Sequence, residues 1–99
     1  MYSHIVIFWT HPDKPNAADD LMAGGEKYLK NIEGVETYHM GRMASSDRPV
    51  VDQSYQVALN ITFADKQTQD TYQGHPSHIE FVEKVFKPNC AKVVVYDFE

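Results

Sequence analysis

The stretch SYQVALNITF, residues 54–63, carries the clearest β-strand pattern in the chain. Its large apolar side chains occupy alternate positions: Tyr55, Val57, Leu59, Ile61 and Phe63. The intervening residues, Gln56, Ala58, Asn60 and Thr62, are small or polar. Because successive side chains of a strand point to opposite faces, we expect the apolar row to pack on helices. The polar row then faces something else, either a partner or a wet cavity.

Working outward from this strand, apolar periodicity and turn residues predict three more strands and two helical stretches. The predicted strands are residues 2–10, 35–43, 54–63 and 91–98. One helix starts at an Asn16 N-cap and ends at a Gly34 C-cap. The second helical stretch starts at an Asp65 N-cap, breaks at Gly74, resumes at Pro76 and ends at Pro88. The order β-α-β-β-α-β predicts an α+β, ferredoxin-like sandwich with both helices on one sheet face, as a single domain over residues 1–99.

The last predicted strand indicates a partner for the other sheet face. Its outward row is Lys92, Val94, Tyr96 and Phe98, which includes three large apolar residues. A chain of 99 residues has a modest core, and a second copy would bury this face. We therefore expect a homodimer joined sheet to sheet, a dimeric α/β barrel with the helices outside.

The charge and composition exclude several classes of function. Net charge is −5, from 14 acidic and 9 basic residues, and the basic residues are scattered. Such a surface has no footprint for nucleic acid or for an anionic membrane. The single cysteine excludes an internal disulfide, and no stretch approaches the ~20 apolar residues of a membrane span. We expect a cytoplasmic protein.

Two patterns in the helices bear on packing. The pair Gly24-Gly25 lies in the middle of the first helix, where either close packing or a cavity would explain it, and close packing is favoured. In the last helix, Ile79, Val82 and Phe86 form the predicted buried stripe, flanked by Phe81 and Val85.

The segment YQGHPSH, residues 72–78, is the strongest candidate for chemistry. With Pro76 as the first helical residue, His78 lies in the first turn, where the positive helix end favours a neutral ring suited to a general base. Tyr72, just before the break, could donate a hydrogen bond to a carbonyl oxygen. The alternative is structural: His75 and His78 would merely satisfy amides at the helix start. The spacing alone favours that alternative.

Other candidate groups give weaker signals. His4 is the one histidine in an otherwise apolar strand, so a role in chemistry depends on its reaching the cavity of His78. His75 and His78 are three residues apart, with His4, His39 and Asp97 as further possible ligands, but without a clear third ligand we expect no metal. Cys90 has no basic neighbour pattern and is expected to be a small buried residue.

Four features of the sequence form a recognisable set: HIVIF at residues 4–8, Gly34-Val35, Phe63 and above all Tyr72-x-x-His75-Pro76-x-His78-x-x-Phe81. Through them, nearly the whole chain resembles the stress-responsive dimeric α/β barrel (Dabb) family. Members share the ferredoxin-like barrel dimer, whereas many are known only as stress-induced or uncharacterised proteins.

The resemblance also implies a candidate site. A plant member is a polyketide cyclase that closes a ring by aldol condensation without a cofactor. Its catalytic tyrosine and histidine match Tyr72 and His78, and a helpful histidine of its first strand matches His4. Its pocket between sheet and helices implies substrate-binding walls here at Met22, Leu59, Phe81 and Val93. Two polar residues of that pocket fall at Val57 and Gly25, which predicts a wider, less polar cavity and a different substrate.

Three hypotheses remain open. The first is a cofactor-free enzyme or binder for a small apolar carbonyl compound, in which His78 removes a proton and Tyr72 steadies the enolate. The second is a non-catalytic, stress-protective homo-oligomer, which a closed core beneath His78 would favour. The third is a cofactor-free, monooxygenase-like barrel with a dry, apolar pocket.

Overall fold

Four strands and four helical segments make up the chain, and the computed structural model describes all residues 1–99. The strands are β1 (Tyr2–Thr10), β2 (Thr37–Arg42), β3 (Val57–Phe63) and β4 (Cys90–Phe98). The helices are α1 (Ala17–Tyr28), α2 (Lys66–Gln73), α3 (Pro76–Phe81) and α4 (Lys87–Asn89), with a π-helical turn (Val82–Phe86) joining α3 to α4. No helix is both long enough and apolar enough to cross a membrane. The predicted order β-α-β-β-α-β is confirmed.

All neighbouring strands of the sheet are antiparallel, in the order β2-β3-β1-β4. The central strands β1 and β3 place Val6 opposite Leu59, and the edge strand β4 places Val95 opposite Val6. Directly opposed residues share a sheet face, so these three side chains all point toward the helices. The fold is the ferredoxin-like α+β sandwich that the element order predicts.

The core lies between the sheet and the helices. The apolar row of β3 is almost wholly buried, as predicted, at Val57, Leu59, Ile61 and Phe63. Alternate residues of β1 join it, and Leu21 and Leu29 of the first helical stretch close it from above. This burial fixes the register of the sheet, because a slip of one residue would expose the whole row.

The strand ends differ from the prediction. β3 begins at Val57, three residues later than expected, because Tyr55 leaves the apolar row. Its ring contacts Trp9 edge to face, with centroids 6.4 Å apart. The Trp9 indole nitrogen donates a hydrogen bond to Ser54 Oγ at 3.0 Å, which holds the same segment away from the ladder.

The predicted stripe on the last helix has the wrong phase. Ile79 is half exposed, at 51%, whereas Phe81 and Val85 are buried. A π-helical turn needs more residues per turn than an α-helix, so the face that meets the sheet shifts along this segment. Pro88 does not end the helix either, since the helical structure continues through it to Asn89 at the end of α4.

The first helix is shorter than predicted, and its glycine pair is packed closely. α1 ends at Tyr28, and Gly34 lies six residues beyond it with a positive φ of 97°. A Cβ on Gly24 would lie 2.6 Å from Val85 Cγ1, and a Cβ on Gly25 would collide with the Tyr38 hydroxyl. Close packing, rather than a cavity, therefore explains both glycines.

Candidate functional site

The break between α2 and α3 positions the histidines of the YQGHPSH segment. The carboxylate of Asp65 accepts the backbone N–H of Thr68 at 2.8 Å and starts α2, as predicted. Gly74 ends that helix, and His75 is the N-cap of α3, with Nδ1 accepting the Ser77 backbone N–H at 3.0 Å. His75 is therefore structural.

Tyr72 and His78 flank this break and meet in the core. Their ring centroids are 4.9 Å apart in an edge-to-face arrangement. Phe63 at the end of β3 supports the Tyr72 ring from below, 5.0 Å away. The His4 ring of β1 lies 6.1 Å from Tyr72, on the helix side of the sheet with Val6 and Phe8. The structure thus brings together the three side chains that the sequence singled out for chemistry.

These three polar side chains line a cavity of about 170 Å³ between the sheet and the helices. Ten of its 13 lining residues are hydrophobic. The remaining walls are Val6, Phe8, Leu29, Leu59, Gln73, Phe81, Val82, Phe86, Val93 and Val95. An apolar cavity of about 150 Å³ binds benzene in another protein, so this volume suits a ligand of about one ring.

Of the four predicted wall residues, Leu59, Phe81 and Val93 line the cavity and Met22 does not. Leu29 is the residue of the first helical stretch that reaches the cavity. Met22 precedes it by two helical turns, about 10 Å along the axis, and packs at the edge of the core instead. The expected widening at Gly25 does not occur either, since the Tyr38 hydroxyl and Met40 sulfur fill that space.

Burial controls the protonation of Tyr72 and His78, which flank the break between α2 and α3. Desolvation lowers the pKa of His78 below its ordinary 6.5, and the nearby His4 lowers it further, while a backbone hydrogen bond with Gln73 opposes the shift. The sequence predicted a neutral ring from the helix end, but desolvation and His4 are the causes. Burial also raises the pKa of Tyr72, so its phenol stays protonated at neutral pH. Tyr38 adds to this shift, and Tyr72 lines the cavity.

His4 pairs with Asp97, and the sequence did not predict this pairing. The Asp97 carboxylate lies 2.5 Å from Nδ1 of His4, which is only 6% exposed. The pairing of β1 with β4 puts these residues directly opposite each other. No three His, Cys, Asp or Glu side chains come together in a group that could hold a metal ion, and Asp97 pairs with His4 instead.

Cys90 lies outside this cavity. Its side chain is buried, and burial raises the pKa of the thiol to about 11. A thiol held protonated in this way is a poor nucleophile.

The open four-stranded sheet with helices on one face places the chain among the ferredoxin-like α+β proteins. The sequence model of the stress responsive A/B barrel domain matches residues 3–99, and the chain belongs to that family. A stress-response A/B barrel domain-containing protein of Arabidopsis thaliana, At5g22580, is 26% identical over 97 residues, covering 98% of this chain and 84% of the relative.

Solved structures support the fold. A dimeric ferredoxin-like protein of unknown function from Thermobifida fusca superposes with a TM-score of 0.78 at 20% identity, covering 98% of this chain and 88% of that one. A hydroxynitrile lyase from Passiflora edulis superposes with a TM-score of 0.76, also at 20% identity, covering 98% of this chain and 90% of that one. At this identity both likenesses show the fold alone.

Proposed function

We propose that this protein binds a small, largely apolar carbonyl compound in the cavity beneath His78 and catalyses proton transfer at the carbon next to the carbonyl. The observation that carries the proposal is the convergence of Tyr72, His78 and His4 on one apolar cavity. An aromatic or branched body fits the apolar walls, and the carbonyl oxygen meets the polar end.

The chemistry follows from what each group can do. Protonated Tyr72 donates a hydrogen bond to the carbonyl oxygen and stabilises the negative charge that develops there. A neutral imidazole accepts the proton from the α carbon, and both His4 and His78 stand within the cavity. The C–H electron pair then becomes the enolate, and return of the proton regenerates the ketone. The apolar surroundings strengthen each of these electrostatic interactions.

A non-catalytic role in protective assembly is less favoured by the geometry. A non-catalytic role would be favoured by a closed core beneath His78, whereas the structure has a cavity there. The apolar cavity is equally compatible with a monooxygenase-like reaction, so it does not favour that reaction over proton transfer.

The proposal also includes a homodimer. Tyr96 and Phe98 remain 59% and 60% exposed in the isolated chain, on the sheet face away from the helices. Related folds such as the Thermobifida fusca protein are dimeric. A second copy that covers this face would leave the cavity on the helix side of each subunit.

The test uses acetophenone and cyclohexanone as ligands and measures exchange of their α protons for deuterium in heavy water by NMR. The wild-type protein should bind both and accelerate the exchange. His78→Ala should fold normally and lose binding or exchange by about tenfold or more. His11→Ala, in the loop after β1 and outside the cavity, is the matched control and should change neither. Cleavage of benzaldehyde cyanohydrin is added because a hydroxynitrile lyase shares the fold. Unchanged behaviour of the His78 variant would contradict the proposal.

A further inference from the structure

The two histidines of the cavity stand in different surroundings. His4 contacts a carboxylate, with Nδ1 2.5 Å from Asp97 Oδ1, while its ring is 6% exposed. His78 has no carboxylate partner, and the cavity residue whose charge would act on it is His4, which lowers the pKa of His78. An imidazole that accepts a proton becomes a cation, so a carboxylate beside it stabilises the product of the transfer.

The contact also fixes which nitrogen of His4 is free. An ionised carboxylate can only accept hydrogen bonds, so Nδ1 of His4 must carry the proton. The lone pair is then on Nε2, the nitrogen left to the cavity that His4 lines with Tyr72 and His78. Sheet register enforces this arrangement, because Asp97 of β4 lies opposite His4 and directly opposed side chains share a face.

We infer that His4, oriented by Asp97, is the base that removes the α proton, and that His78 and Tyr72 are hydrogen-bond donors to the carbonyl oxygen. This inference rests on the proposed function. In the step, the α C–H bond breaks and its proton moves to Nε2 of His4. The electron pair forms the enolate double bond, and the negative charge develops on oxygen within reach of Tyr72. Asp97 stabilises the resulting imidazolium and is a positioning residue, because it acts through His4.

The first test compares exchange rates among variants that keep similar shapes. His4→Gln should abolish α-proton exchange, whereas His78→Gln, whose amide still donates a hydrogen bond, should retain measurable exchange. Asp97→Asn should slow exchange by about tenfold or more while the ligand dissociation constant stays within about twofold, since Asp97 does not line the cavity. Asp70→Asn, which removes a carboxylate paired with Lys66 on α2, is the matched control and should leave the rate unchanged.

The second test determines which ring nitrogen of His4 carries the proton in the ligand-free protein. In ¹⁵N NMR spectra of the wild type, His4 should carry its proton on Nδ1, and Asp97→Asn should move a substantial population to the Nε2–H form. A His4 protonated on Nε2 in the wild type would overturn the inference even if every variant failed to fold. Full exchange activity in Asp97→Asn, or loss of exchange in His78→Gln with retention in His4→Gln, would overturn it while leaving the proposed function standing. A wild type that exchanges no ketone would overturn both.

Discussion

Three histidines of this chain show how surroundings decide the role of a residue type. His75 accepts a hydrogen bond from the Ser77 backbone N–H at its ring Nδ1 and so caps a helix. His78, three positions later, stands in the cavity, where burial favours its neutral form. His4 shares that cavity but is tied to a carboxylate from another strand. In the sequence, the only sign that His75 and His78 differ in role is the helix break between Gly74 and Pro76. The break makes His75 a cap and places His78 inside the next helix.

Replacing Tyr72 by phenylalanine tests the phenol alone. The substitution keeps the aromatic ring and removes only the hydroxyl, so Tyr72→Phe should change the free energy of unfolding by less than about 1.5 kcal/mol. Ketone binding and α-proton exchange should nonetheless fall by about tenfold or more, because the enolate oxygen loses its donor. Urea unfolding and the NMR exchange assay measure the two effects. A variant that unfolds readily, or one with full activity, would show that the phenol serves packing.

The lowered pKa of His78 predicts a pH dependence of stability. Its folded pKa lies below the ordinary 6.5, so between these values the unfolded chain binds more protons than the folded one. The stabilisation from neutral His78 is therefore complete above about pH 6.5 and is lost as the pH falls from there toward the folded pKa. His78→Gln should flatten the fall in unfolding free energy over this window. His11→Gln, in the loop after β1, should not, and equal slopes in all three proteins would contradict the assignment.

The candidate site could be predicted only where its geometry is local. Tyr72 and His78 lie six residues apart across a break that Gly74 and Pro76 mark, so the sequence indicated the pair. Asp97 is 93 residues from His4, and their contact depends on the register of β1 with β4, which no local pattern encodes. Met22 does not line the cavity, because its distance from the cavity depends on where α1 lies along the sheet.

At the scale of elements, the contact between α1 and the π-helical turn sets the shape of the helical layer. Gly24 lets the helix approach Val85 so closely that a Cβ would lie 2.6 Å and 2.7 Å from its two methyl carbons. Val85 is β-branched and has little rotamer freedom with which to yield. The same turn carries Val82 and Phe86 into the cavity wall, so this packing also positions the site.

Gly24→Ala should therefore destabilise the protein even though alanine favours helices. We expect a loss of about 1 kcal/mol or more in the free energy of unfolding, because the overpacked methyl group must displace Val85 or α1. Gly74→Ala is the matched control: its nearest neighbour to a new Cβ is 3.9 Å away and its φ of −88° suits alanine. That variant should be neutral or stabilised by up to about 1 kcal/mol. Equal urea midpoints for the two variants would contradict the packing argument.

The order and type of the elements were predictable because each strand and helix has a strong period of its own. The exact ends of the strands and helices were less predictable. In the sequence, Tyr55 continues the alternating pattern of β3, but its contact with Trp9 draws it out of the β-ladder. Ile79 fits a regular helical stripe, but the π-helical turn after Phe81 changes the face that meets the sheet. In both cases a tertiary contact or a helix irregularity overrides the local pattern.

The whole molecule has two unlike sheet faces. The helix side contains the core and the cavity, whereas the opposite side is uncovered in a single chain. On that opposite side the half next to β4 is apolar, with Ile5, Ile7, Tyr96 and Phe98, and the half next to β2 is polar, with Thr37 bonded to Thr62. Apolar surface of this kind on so small a domain favours association with a second copy.

We expect sedimentation equilibrium at micromolar concentration to give twice the 11.3 kDa mass of one chain. Tyr96→Glu should weaken the dimer by about tenfold or more, because it would bury an unpaired charge against the partner sheet. Ile79→Glu is the matched control, since Ile79 is similarly exposed, at 51%, but lies on the last helical stretch, away from the proposed interface. A wild type that sediments as a monomer would contradict the dimer, and dissociation by Ile79→Glu but not by Tyr96→Glu would place the interface on the helices instead.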